Sequence, residues 1–90
     1  MEKIRREYRF YGRVQGVGFR YHAMYTAQHL GLTGWVRNCY DGTVEAQVQG
    51  QKEVIADFVE MLHRGRYIEI EDYTCKDIDL ESEIGFTIRH

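Results

Sequence analysis

Gly12-Arg13-Val14-Gln15-Gly16-Val17-Gly18-Phe19-Arg20 joins a strand pattern to a helix pattern through a glycine-rich turn. Upstream, Arg5 to Arg13 alternates around Tyr8 and Phe10, the signature of a half-buried strand. Downstream, Phe19, Ala23, Ala27 and Leu30 recur at helical spacing across Arg20 to Leu30, and Gly31 is a stop signal. A strand that feeds a helix in this way opens a crossover unit, so the next strand runs parallel to the first.

Leu32 to Asn38 supplies that next strand. Asp41-Gly42 is a hairpin signal, and Val44, Ala46 and Val48 then alternate with Glu45, Gln47 and Gln49 on a third strand, which Gly50 closes. Lys52 to His63 predicts an amphipathic helix with Val54, Ile55, Phe58, Val59 and Leu62 on one stripe, and Gly65 is its stop. Tyr67 to Asp77 reads as a long polar strand and Phe86-Thr87-Ile88 as a short final one. The order is βαββαβ with an extra strand. It predicts a ferredoxin-like α+β sandwich, an antiparallel four- to five-stranded sheet with both helices on one face. No linker, repeat or low-complexity tract interrupts it, so one domain over residues 1–90 is expected.

Composition narrows the function classes. A net charge of −2 argues against a nucleic-acid binder held by bulk electrostatics. Thr43-Val44-Glu45-Ala46-Gln47-Val48 also lacks the aromatic pattern that RNA-recognition domains of this topology carry. No apolar run is long enough to span a bilayer, and Met1-Glu2-Lys3-Ile4-Arg5-Arg6 lacks an apolar export segment, so a cytoplasmic protein without a membrane partner is expected. Cys39 and Cys75 show no CxxC spacing and are expected to be reduced thiols, with a bridge between them left open because sequence does not show whether they approach each other. His22, His29 and His63 have no carboxylate or cysteine at metal-ligand spacing, so no metal site is expected. Lys3, Arg5, Arg6, Arg9 and Arg13, diluted by Glu2 and Glu7, read as a solvated face, as does the acidic run Glu69, Glu71 and Asp72.

The chemistry gathers at the opening turn. Helix N-termini present unpaired N–H groups and partial positive charge, which suit phosphate. Gly16 and Gly18 admit backbone conformations closed to other residues. The N–H groups of Gln15, Gly16, Val17, Gly18, Phe19 and Arg20 can then form an anion nest, to which the Arg20 guanidinium adds a planar fork. No Gly-Lys-Ser/Thr follows, so this is not a P-loop. In a split crossover, strand three lies between strands one and two, which puts the turn and Asn38 on one rim about 10 Å apart. The Asn38 amide can accept from a water and donate to an anion, although asparagine also ends strands for purely local reasons.

Gly12-x-Val14-Gln15-Gly16-Val17-x-Phe19-Arg20, Leu30-Gly31-Leu32-x-Gly34-Trp35-Val36-Arg37-Asn38 and Asp41-Gly42-x-Val44-Glu45 resemble the acylphosphatase family, in register from Tyr11 to Gly50. The closing Phe86-x-Ile88 is similar to the family's last strand, and the chain has the usual length of a free-standing member. The resemblance implies hydrolysis of acyl phosphates to a carboxylate and inorganic phosphate, using no metal or organic cofactor; a monomer is expected, although the sequence does not reveal the oligomeric state. It implies that Arg20 and the backbone amides of Gln15 to Arg20 bind phosphate and that Asn38 orients the attacking water. Family members often carry proline near the turn after the second helix; Gly65-Arg66-Tyr67 has none, which leaves that turn's geometry open. Tyr21 and His22, behind Arg20, are candidates for tuning substrate preference. A cradle can also bind without turnover, so a non-catalytic phosphate or acyl-phosphate binding module is the alternative.

Overall fold

The computed structural model describes residues 2–90. In chain order the elements are β1 (Lys3–Arg13), α1 (Phe19–Leu30), β2 (Thr33–Asn38), β3 (Val44–Gln51), α2 (Lys52–His63), β4 (Glu69–Ile78) and β5 (Phe86–Arg89). They build one five-stranded sheet in the order β4-β1-β3-β2-β5. β1 pairs antiparallel with β3 and β4, and β2 pairs antiparallel with β3, so β1 and β2 point the same way with β3 between them. The ferredoxin-like α+β class follows as expected. One detail differs: β5 lies parallel to β2, making the sheet mixed. Its approach from the far edge, described below, sets that direction.

Period-two alternation sends Tyr8 and Phe10 of β1, Val44, Ala46 and Val48 of β3 and Val36 of β2 to one face, where all are buried. Phe19, Ala23 and Ala27 of α1 and Ile55, Phe58 and Leu62 of α2 cover them in a single cluster. The two helices also touch each other, so both lie on that face. Each large side chain taken out of water here contributes about 1.5–3 kcal/mol. α1 ends at Gly31 in the left-handed region, where the Leu32 N–H reaches the Ala27 carbonyl at 2.9 Å and the Gly31 N–H reaches Gln28 at 3.2 Å.

Two glycines act differently from the expectation. Gly50 does not close β3: the strand continues to Gln51, with Gly50 paired to Ile4. A Cβ there would stand 2.4 Å from Leu32 Cδ2, so close packing requires the glycine. Gly65 is not a left-handed cap, since α2 ends on Arg64 at φ −91°. A Cβ on Gly65 would meet Ile68 Cδ1 at 2.5 Å. The Ile68 N–H donates to the Gly65 carbonyl at 3.2 Å, keeping Arg66 and Tyr67 in a turn, so β4 starts at Glu69 and not at Tyr67.

The face away from the helices holds a second correction. Arg5 is 1% exposed, not part of a solvated face. Residues 79–85 run from β4 at one edge of the sheet to β5 at the other, and they cover Arg5 on the way. The guanidinium pairs with Glu83 and Glu81 and donates to Gln47 and Gln49. Gln49 clasps the Glu81 backbone in turn, donating to its carbonyl at 2.8 Å and accepting from its N–H at 2.9 Å. The acidic run Glu69, Glu71 and Asp72 is exposed as expected, and Cys39 and Cys75 are free thiols.

Candidate active site

Between β1 and α1 the chain is pinned at both ends. Val14 and Phe19 are buried at 1% and 2% exposure, which leaves the intervening backbone at the surface. Gly16 and Gly18 hold φ of +72° and +79°, in the left-handed region. A Cβ at either would stand in open space, so these glycines answer a conformational demand and not a crowded one. Among the described residues, no N–H from Gln15 to Arg20 donates to a backbone carbonyl outside the helices and strands. α1 also lacks a side-chain N-cap, so its first N–H groups stay free for another acceptor.

Asn38, the last residue of β2, lies across from Val44. It meets the loop in a recess of about 110 Å³ whose walls include Gly16, Gly18, Arg20, Tyr21 and Asn38. Sequence topology anticipated this meeting of Arg20 and Asn38. Arg20 has no ion-pair partner among the described residues. The Asn38 Oδ1 is buried and accepts no hydrogen bond there. An unsatisfied buried acceptor costs about 1–3 kcal/mol, so its retention in a residue that lines this recess calls for a function. The recess could seat a small tetrahedral anion between a guanidinium and backbone N–H groups, with a donor such as water on Oδ1.

The side chain of Gln15 is a component that sequence reasoning missed, having assigned this residue only a backbone role. Its Nε2 donates to the carbonyls of Cys39 at 2.8 Å and Thr43 at 2.9 Å, tying the loop to the turn that follows Asn38. That turn is itself cross-braced. Asp41 Oδ1 accepts from the Thr43 hydroxyl at 2.6 Å and the Thr43 N–H at 3.0 Å. The Thr43 hydroxyl accepts from Arg9 Nη1 at 2.7 Å. Hydrogen bonds from the Thr43 hydroxyl and then its N–H hold the Asp41 carboxyl below its ordinary range, and the nearby Arg9 charge adds to them. Asp41-Gly42-Thr43 is a recognisable Asx-turn signal, so this half of the brace was available from sequence; the Gln15 contacts were not.

The two residues behind Arg20 part company. Tyr21 lines the recess, whereas the His22 Nε2 lies 3.0 Å from the Met61 carbonyl, between the helices. Among the described residues no three His, Cys, Asp or Glu side chains gather at metal-binding distance.

Fold and recess together define a class: a ferredoxin-like α+β protein with a recess lined by an arginine and a glycine-rich loop where strand one meets helix one. The acylphosphatase family model matches residues 6–88. An acylphosphatase of Nostoc sp. is 53% identical over 79 residues, covering 87% of this chain and 78% of that protein. Among solved structures, an acylphosphatase from Bacillus subtilis superposes with a TM-score of 0.91 at 34% identity, covering 97% of this chain and 99% of that one. An acylphosphatase from Coxiella burnetii gives 0.90 at 31% identity, covering 97% and 93%. The chain belongs to the acylphosphatase family. It is an enzyme that hydrolyses the carboxyl–phosphate bond of small-molecule acyl phosphates, releasing a carboxylate and inorganic phosphate.

Proposed function

We propose that Arg20 and the backbone N–H groups of Gln15 to Arg20 bind the phosphoryl group and that Asn38 orients the attacking water. The buried Oδ1 of Asn38, which lines the same recess as Arg20, with both groups unpartnered among the described residues, is the observation that carries this reading. The Oδ1 accepts a hydrogen bond from the water and turns a lone pair of the water oxygen towards phosphorus. A P–O bond forms to that oxygen as the P–O bond to the acyl group breaks, and the electron pair leaves on a carboxylate. The water's proton passes to a phosphoryl oxygen, so a dianionic acyl phosphate and water give a carboxylate and a singly charged phosphate. A carboxylate leaves readily, so no strong general acid is needed. Positioning and charge stabilisation are what the site must supply.

The reading extends to a cytoplasmic monomer, built as one domain over residues 1–90 and working without metal or organic cofactor. Ultraviolet-monitored hydrolysis of benzoyl phosphate with a chelator present tests the chemistry. Arg20→Ala should lose phosphate binding together with about three or more powers of ten in kcat/KM. An Arg20→Ala enzyme that binds phosphate normally would remove Arg20 from the site, and chelator sensitivity of the wild type would remove the metal-free scheme.

A further inference from the structure

At about 110 Å³ the recess has room for a phosphoryl group and little more, yet the substrate has a second half. Gly16 is shared with a larger groove of about 360 Å³, lined otherwise by Arg13, Val17 and Tyr67. Val17 packs on the core and gives the groove an apolar floor, and Tyr67 is an exposed aromatic wall. The Arg66 guanidinium stacks 5.4 Å from the centre of the Tyr67 ring. Arg13 pairs across the ladder with Glu69 but forms no ion pair with it, and Arg66 forms none among the described residues.

Sheet order fixes which side of the loop this groove occupies. The loop leaves the end of β1; Asn38 ends β2, two places away on one side, while Tyr67 leads into β4 on the other. In-line phosphoryl transfer needs the entering and leaving oxygens on opposite sides of phosphorus. If the water comes from the Asn38 side, the acyl group departs towards Arg13 and Tyr67. We infer that this groove is the acyl subsite and that Arg13 selects acyl phosphates whose acyl group carries a second anionic group, such as a terminal carboxylate.

The inference rests on the proposed phosphate site, and the test separates the two. Succinyl phosphate, which ends in a carboxylate, and acetyl phosphate, which does not, are compared by kcat/KM in the wild type, Arg13→Gln and Arg13→Lys. The succinyl-to-acetyl ratio should fall about tenfold in Arg13→Gln, through KM for succinyl phosphate, and less in Arg13→Lys. Raising ionic strength should lower the ratio in the wild type but not in Arg13→Gln. Arg13 is exposed, so its replacement leaves the core intact. A ratio indifferent to Arg13 and to salt in an enzyme that still requires Arg20 overturns the subsite alone. A protein that turns over acetyl phosphate without needing Arg20 overturns the phosphate site and the subsite with it.

Discussion

Replacing Asn38 by alanine should make the protein a poorer enzyme without making it a weaker fold. The Oδ1 is buried without a partner, and the side chain donates no hydrogen bond within the described residues. Truncation therefore forfeits no internal hydrogen bond, and it relieves a desolvation cost of about 1–3 kcal/mol. Lost packing of the small amide offsets part of that relief. The net expectation runs from no change to about 2 kcal/mol of added stability, and in a domain of this size each kcal/mol raises Tm by about 4–8 °C. Turnover should fall by about two to three powers of ten, the effect of deleting one well-placed polar group, while inorganic phosphate binds as before. Urea unfolding gives the first quantity, read as a change in midpoint at constant slope. Steady-state hydrolysis and phosphate competition give the others. A variant destabilised by more than about 1 kcal/mol that still turns over normally would identify Asn38 as a turn-forming residue, and the water-positioning scheme would fall.

The Arg5 cluster and the Asp41 turn can be tested separately. Arg5→Met leaves Glu83, Gln47 and Gln49 without their shared donor and should lower stability by about 3 kcal/mol in urea melts. The folded fraction should keep wild-type kcat, since eight residues of strand, about 26 Å, separate Arg5 from Arg13 at the rim of the proposed site; a loss below about 1 kcal/mol would show that the cluster does not hold the 79–85 segment. Asp41 titrates below its ordinary value of 3.8 in the folded state, so its stabilising contribution is complete above 3.8 and is lost as pH falls through the lower folded value. Carbon-detected NMR titration should find that depressed midpoint, and Thr43→Ala should return it towards 3.8; a wild-type midpoint at or above 3.8 would contradict the Thr43 hydrogen bonds.

Much of this was readable in the chain because it is periodic or local. Alternation around Tyr8 and Phe10, the Ile55, Phe58 and Leu62 stripe and the Asp41-Gly42 turn each write their element within a few residues. The meeting of Arg20 with Asn38 also followed, since a crossover connection settles which strand ends share a rim. What stayed hidden lies between residues far apart in sequence. A lysine or arginine in an alternating strand gives the same pattern whether water or a later segment covers it, so nothing near Arg5 announces Glu81 and Glu83. Gln15 reaching Cys39 and Thr43 has no periodic signature either. Gly50 and Gly65 read as stops because glycine marks turns and tight packing with one letter, and only the neighbouring side chains, Leu32 and Ile68, tell the two apart.

The parallel docking of β5 decides where attachments can be made. Because β5 runs with β2, its Arg89 lies beside Arg37, one residue short of Asn38, with its guanidinium 4.5 Å from the Trp35 ring centre. Lys3 begins β1 at the opposite rim. A fluorophore, affinity tag or fusion partner joined after His90 would therefore emerge beside the rim proposed to be catalytic, where it would crowd the substrate or report its arrival. The same attachment ahead of Lys3 would hang from the far side of the sheet, and immobilisation through that end leaves the working edge facing solution.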